Sequence, residues 1–172
     1  MDPRLEALIA GLRASGFSDL RGARADLTLP ISDRLLTEAL AQALPASAPV
    51  RDVEVTSRTA NRIGLRFRVA AASFLPPLNV TLTVDEQPRL PASPVLILKL
   101  ETGGLLSMAG SALRFLDALP PGLRVVGDRV HVDIGRLLAE RGLAELLEYT
   151  EHIEVTTRAG AVVVGIRAVV RG

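Results

Sequence analysis

The side chains best suited to acid–base, nucleophilic or metal chemistry are few in this sequence, and they stand apart from one another. Its two histidines, His131 and His152, fall on the polar side of alternating segments, where they would lie across hairpins from Arg124 and Arg167. Cysteine is absent, and no carboxylate cluster accompanies either histidine. We therefore expect exposed strand histidines, with neither a metal site nor a cofactor.

Motifs of covalent or nucleotide chemistry are also missing. The chain has no Gly-x-Ser-x-Gly, no phosphate-binding glycine loop, no dinucleotide-binding glycine motif and no His-Glu-x-x-His. Glu86 and Glu151 are unusual because they fall on the apolar phase of their strands, which is common near β-bulges. The helix-face carboxylates are Glu38, Glu140, Glu145 and Glu148. An enzyme with an unrecognised carboxylate site is the weakest hypothesis, and we expect no catalysis.

The amino-acid composition is typical of a chain that folds. Of 172 residues, 48% are apolar and 23% charged, and the formal net charge is +1. This favours one domain over residues 1–172 and argues against disorder. The first residues lead into an amphipathic segment, and no run of about 18 apolar residues follows, so neither a signal peptide nor a transmembrane span is expected. A cytoplasmic location is the expectation.

Nucleic acid is not an expected partner, although the basic residues are almost all arginine. The one apparent basic stripe consists of Arg58, Arg62, Arg66 and Arg68. In a hairpin turned at Ala60, Glu54 and Asp52 would stand opposite Arg66 and Arg68, which makes the stripe part of a neutralised face. Four Phe, one Tyr and no Trp also leave few side chains for base stacking.

Hydrophobic periodicity predicts short helices between alternating strands. An amphipathic helix is expected over residues 1–17, and a strand over residues 23–31. A second helix should begin at Ser32 or Asp33, either of which can cap it. From residue 22 to residue 172 we expect an α+β fold in which a long, curved antiparallel sheet wraps amphipathic and apolar helices.

Hairpins supply most of the expected sheet. Their turns are placed at Ala60, Gly127-Asp128 and Ala159-Gly160. These turns would put Val55 opposite Leu65, Val125 opposite Val130, and Val155 opposite Val164. A further turn at Pro76-Pro77 would put Val69 opposite Val84 and Arg68 opposite Asp85.

Two stretches of the sequence return about a hundred residues later. Arg34–Glu38 resembles Arg136–Glu140, and Val53–Arg58 resembles Ile153–Arg158. Each pair lies in the order strand, helix, hairpin. We therefore expect a strand–helix–hairpin pseudo-repeat, in which each helix buries one apolar stripe against a sheet.

The segment 103–119 is apolar or small almost all round and ends at Pro120-Pro121. Such a pattern is typical of a helix buried on most sides. It could be a central core helix, or it could line a cavity for an apolar ligand. The residues that would touch that ligand are Leu105, Leu106, Met108, Leu113 and Phe115. A flap on a membrane surface is less favoured, because the segment lacks a cationic face.

The order of elements resembles that of a known superfamily. A capped helix after the first strand, a meander containing Leu82–Pro88, an apolar helix and a closing strand–helix–hairpin look like the tubular lipid-binding (TULIP-like) superfamily, over about residues 23–170. The resemblance implies a strongly curved sheet around a long helix, with lipids held in the groove between them. Many bacterial members are exported or anchored, whereas this chain shows no export signal.

Two function hypotheses remain. The leading one is non-enzymatic binding of a lipid or other apolar small molecule, in a groove between the curved sheet and the 103–119 helix. The alternative is a structural scaffold or homo-oligomeric adaptor with a filled core and no ligand. A homodimer and transient contact with a membrane are left open by both.

Overall fold

The computed structural model describes residues 20–48, 50–70, 76–101 and 121–170, together with Gly11, Ala14 and Phe74. Gly11 and Ala14, the two described residues of the expected 1–17 helix, are both helical. The rest of that segment lies outside the described residues. The 103–119 segment lies outside them as well.

The described residues form nine strands and three helices. In chain order these are β1 (Arg24–Ser32), α1 (Asp33–Ala43), β2 (Val50–Arg58), β3 (Arg62–Val69), β4 (Leu78–Glu86), β5 (Val95–Glu101), β6 (Leu123–Val126), β7 (Arg129–Asp133), α2 (Ile134–Glu140), α3 (Leu146–Tyr149), β8 (Thr150–Arg158) and β9 (Ala161–Val169). They build a six-stranded sheet in the order β2-β3-β4-β5-β7-β6 and a three-stranded sheet in the order β1-β9-β8. All pairings are antiparallel, and the sheet is curled, as expected.

Helix α1 closes the outer edge of β2. Ser32 caps the helix through its hydroxyl, which accepts a hydrogen bond from the Leu35 amide at 3.3 Å. The Thr37 hydroxyl accepts from the Val55 amide at 2.9 Å, and the Asp33 carboxylate accepts from the Ser57 amide at 2.9 Å. These amides belong to an edge strand, so the helix satisfies donors that would otherwise invite another strand.

Hairpin registers predicted from local turns are confirmed. Val55 lies opposite Leu65, Val125 opposite Val130, and Val155 opposite Val164. Gly127 has φ = 62°, as a type II′ turn requires. A bulge between Arg51 and Glu54 shifts the start of β2, yet the Asp52 carboxylate still lies 3.7 Å from the Arg68 guanidinium.

The expected register between β3 and β4 is wrong. Leu65 lies opposite Val80 and Ile63 opposite Leu82, so Val69 does not face Val84. Proline has no N–H for the ladder, and β4 begins only after Pro77, so the two prolines end a longer connection instead of forming its turn. Asp85 consequently pairs with Arg129 at 3.2 Å and not with Arg68.

The core lies where the two sheets meet. Leu82, Leu96 and Leu98 of the six-stranded sheet pack with Ile153, Val155 and Val162 of the three-stranded sheet. Gln87 ties the sheets together, since its amide donates to the Val155 carbonyl at 2.7 Å and accepts from the Val155 amide at 2.8 Å. Among the described residues, no helix is long and apolar enough to cross a membrane.

Candidate functional site

The three-stranded sheet has an apolar inner face whose exposure increases from one edge to the other. Val155 on β8 lies opposite Val164 on β9, which lies opposite Leu29 on β1, so the three side chains form a row on one face. Val155 is buried, Val164 is half-buried, and Leu29 is 45% exposed. The neighbouring row runs from buried Ile153 through half-buried Ile166 to Leu27, which is 50% exposed.

The six-stranded sheet presents the opposing apolar face. Its inward side chains follow from the strand registers and include Val55, Ile63, Leu65, Phe67, Val80, Leu82, Val84, Leu96, Leu98, Leu100, Leu123, Val125, Val130 and Val132. Residues at the centre of this face, such as Leu96 and Leu98, are buried against β8 and β9. Most of the others are half-buried.

Even the centre of this interior keeps some accessible surface. Each buried hydrophobic residue in the described part of the chain is 5–8% exposed, and none of the large side chains described there is below 2%. The apolar face of the three-stranded sheet is therefore covered along β8 and exposed along β1, where Leu27 and Leu29 lie. Burial of such exposed apolar surface is what an apolar molecule offers.

Among the described residues, one buried polar side chain lies in this apolar interior. Ser57 is 3% exposed, and its hydroxyl oxygen has no hydrogen-bond partner. Its backbone is fully used, because its amide donates to Asp33 and its carbonyl accepts from the Gly160 amide at 3.2 Å. Sequence alternation places Ser57 in phase with Val55, but no sequence signal indicates that its hydroxyl is left unpaired.

The candidate ligand-contacting residues of the apolar segment are not among those the structure describes. These are Leu105, Leu106, Met108, Leu113 and Phe115. The exposed apolar residues Leu27 and Leu29 were not expected at a site, because their position depends on the pairing of β1 with β9, near the other end of the chain. Alternation alone shows that they share a face.

The two histidines lie on different strands, each opposite the arginine predicted for it. His131 lies opposite Arg124, and His152 lies opposite Arg167. Within the described residues, no group of three or more histidine, aspartate or glutamate side chains could hold a metal ion. Glu86 sits at a bulge in β4 and lies 3.3 Å from Arg129. Glu151 sits at a bulge in β8.

A small polar concavity of about 170 Å³ lies on the outer face, beside β6 and β7. Its polar lining consists of Arg124, His131, Asp133 and Arg136. The Asp133 carboxylate accepts from the Arg136 amide at 2.9 Å and so caps α2, while the Arg136 side chain lies 3.8 Å from Glu140. Two of these four side chains therefore already serve the structure of α2.

No protein-family model, curated protein or solved structure matches the chain. The likeness to the tubular lipid-binding superfamily thus remains an expectation based on element order and on Leu82–Pro88. The described residues offer exposed apolar area and no group of side chains that could hold a metal ion.

Proposed function

We propose that this protein is a non-enzymatic binder of an apolar molecule, such as a lipid acyl chain or an isoprenoid. The ligand would lie in the groove between the inner faces of the two sheets, with residues 103–119 as a further wall. The observation that carries the proposal is the rise in exposure along the rows that end at Leu29 and Leu27. An apolar face that is uncovered at one end is a common mark of a binding surface.

Desolvation would supply the binding energy. Burial of apolar surface contributes about 25 cal/mol per Å², so an acyl chain losing about 300 Å² would gain roughly 7 kcal/mol before the costs of association. No charged side chain has to be brought into the groove for this. A ligand with a long apolar portion is therefore favoured over a compact polar one.

The two halves of the chain also support a lipid-binding architecture of the TULIP-like kind. We infer a pseudo-repeat of β1–α1–β2–β3 with β7–α2–α3–β8–β9. Ser32 and Asp133 cap the two main helices, and ion pairs of 3.7 and 3.8 Å join Arg34–Glu38 and Arg136–Glu140. In each half the first strand belongs to one sheet and the hairpin to the other, so the two units enclose the groove together.

The proposal is tested with a fluorescent fatty acid and its displacement by unlabelled oleate. Leu27→Gln/Leu29→Gln changes two exposed groove residues, and Val126→Gln changes a residue that is 51% exposed on the outer face of β6. We expect the double variant to bind at least tenfold more weakly, and Val126→Gln to bind as the wild type does. Equal affinity in all three proteins would contradict the proposed location.

The alternative is a scaffold or homo-oligomeric adaptor with a filled core. It is favoured by the exposed edge strand β1, almost all of whose residues are exposed. Native mass spectrometry of purified protein separates the two functions. Co-purifying lipid on a monomer supports ligand binding, whereas a ligand-free oligomer that ignores the fluorescent fatty acid supports the scaffold. Expression and fractionation would test the expected cytoplasmic location.

A further inference from the structure

A row of cationic side chains crosses the outer face of the six-stranded sheet. Arg58 on β2 lies opposite Arg62 on β3, which lies opposite Thr83 on β4. Thr83 lies opposite Lys99 on β5, and Lys99 lies opposite Arg129 on β7. Directly paired residues share a face, and strands are spaced about 4.8 Å apart, so the row is about 20 Å long.

Three of these cations, unlike the fourth, form no ion pair with the described residues. Arg129 lies 3.2 Å from Asp85 and 3.3 Å from Glu86, so its charge is balanced. In the stretches that the structure covers, Arg58, Arg62 and Lys99 have no ion pair, and all three are exposed. Glu101 is on the same face as Lys99, and its carboxylate accepts a hydrogen bond from the Thr83 hydroxyl at 2.6 Å.

The rest of the basic stripe behaves differently. Further from the turn of the same hairpin, the Arg66 guanidinium lies 3.8 Å from the Glu54 carboxylate, and the Arg68 guanidinium lies 3.7 Å from the Asp52 carboxylate. The expectation that strand pairing neutralises the stripe is therefore met at Arg66 and Arg68, but Arg58 faces Arg62. Like charges directly opposite each other destabilise a strand pair. An anion bound between Arg58 and Arg62 would relieve this repulsion.

The local backbone helps to hold the row against the sheet. A Cβ placed on Gly64 would lie 3.8 Å from the Arg58 Nη2 atom and 3.5 Å from the Thr56 carbonyl oxygen. The Arg58 guanidinium thus lies over the bare backbone of β3 at Gly64. The hydroxyl of Thr157 donates a hydrogen bond to the Arg58 carbonyl, which fixes the strand end that carries this arginine.

We propose that Arg58, Arg62 and Lys99 dock the protein on the anionic headgroups of a lipid bilayer. The positive charge of these side chains is complementary to the negative charge of such headgroups, and the row lies on the outer face of the curled sheet. The outer-face positions of its described strands hold no aromatic side chain, which leaves no stacking platform for single-stranded nucleic acid. The row is on the face opposite the apolar groove, and the inference does not depend on the proposed function.

Binding of this kind is weak, reversible and sensitive to salt. Each lysine or arginine near an anionic bilayer raises the partition coefficient about fivefold, so three of them give about a hundredfold. Screening removes most of this gain when the ionic strength rises from about 0.1 M to about 0.5 M, because the screening length becomes shorter than the gap between charges.

The test is co-sedimentation of the full chain with vesicles of phosphatidylcholine that contain about 30 mol% phosphatidylserine. Arg58→Gln/Arg62→Gln/Lys99→Gln removes the unneutralised cations. Asp52→Asn/Glu54→Gln/Arg66→Gln/Arg68→Gln is the control, because it removes two whole ion pairs from the same face and leaves the net charge unchanged. We expect the first variant to lose about a hundredfold in partition coefficient and the second to lose less than about threefold.

Three results would overturn the inference. Wild-type protein that binds phosphatidylserine vesicles no better than pure phosphatidylcholine vesicles contradicts it, as does an equal loss in the variant without the row and in the control variant. Binding to a DNA duplex without binding to vesicles would assign the row to a different partner. Fatty-acid binding is measured on the same variants, where both should match the wild type, so failure of the bilayer proposal and failure of the ligand proposal can be distinguished.

Discussion

At the scale of single residues, two polar side chains near the sheet interface differ in their hydrogen bonding. The hydroxyl of Ser57 is buried without a partner, whereas the N–H and C=O of the Gln87 side-chain amide both bond to the backbone of Val155. A buried polar group without a partner costs free energy, and a paired one contributes modestly. The same class of substitution should therefore have opposite effects at different places in the molecule.

We predict that Ser57→Ala stabilises the protein. Removing the hydroxyl removes an unpaired buried group, which should raise the free energy of unfolding by about 1 kcal/mol. Ser32→Ala is the matched control, because it removes the cap of α1 and should lower the free energy of unfolding by about 1 kcal/mol. Urea denaturation measures both. A loss of stability in Ser57→Ala would mean that its hydroxyl has a partner in solution.

We also predict that Gln87→Ala is destabilising, by about 2 kcal/mol, because it leaves both the amide and the carbonyl of Val155 without their partner. Gln87→Glu keeps an acceptor for the Val155 amide but offers no N–H to the carbonyl, so its stability should not exceed that of the wild type. The denaturation midpoint reports the result. An unchanged midpoint in Gln87→Ala would show that the sheets do not depend on this tie.

At the scale of elements, strand pairings between residues close in the sequence were predicted correctly, and pairings across longer connections were not. Pairs such as Val125 with Val130 are set by a two-residue turn, and they were predicted correctly. The predicted β3–β4 register is wrong because Pro76 and Pro77 directly precede β4 and do not form the turn. Alternation gives the face of a strand but not its partner. For that reason the joining of β1 to β9, and with it the exposed apolar surface at Leu27 and Leu29, could not be predicted.

Strand β1 also shows how an open edge is protected. The amide of Asp33 donates to the Gly160 carbonyl, and the amide of Val170 donates to the Ala23 carbonyl. The backbone N–H and C=O groups of odd-numbered residues in β1 therefore point to β9, and those of even-numbered residues point away from the sheet. Pro30 occupies one of the latter positions. It therefore removes a free N–H from the edge without costing a bond inside the sheet.

Pro30→Val should promote self-association, because it restores a free N–H and strand propensity at the edge. Thr28→Val is the control, since it raises strand propensity at another outward-pointing position of β1 without adding an N–H. Sedimentation velocity over a range of concentrations compares the two variants with the wild type. Dimers or larger species are expected for Pro30→Val. If both variants associate to the same extent, added apolar surface and not the edge amide is responsible.

At the scale of the whole molecule, the two faces of the larger sheet have different chemistry. Its inner face is apolar and shared with the three-stranded sheet, and its outer face carries paired charges together with Arg58, Arg62 and Lys99. A ligand in the groove and a bilayer on the outer face would thus act through separate residues. Their effects on stability and on vesicle binding should be separable by mutation.

Ligand binding to the native state alone raises its stability, and this gives the last prediction. Oleate at about a hundred times its dissociation constant should add about 2.7 kcal/mol, which for a chain of this size corresponds to a rise in Tm of roughly 5–10 °C. Leu27→Gln/Leu29→Gln should lose most of this rise, because the rim that would cover the acyl chain becomes polar. Arg58→Gln/Arg62→Gln/Lys99→Gln should keep it, since those residues lie on the other face. Thermal unfolding followed by circular dichroism, below the critical micelle concentration of oleate, measures the shift. The same shift in all three proteins would indicate binding elsewhere than the groove, and no shift in the wild type would leave the scaffold as the better account of these two sheets.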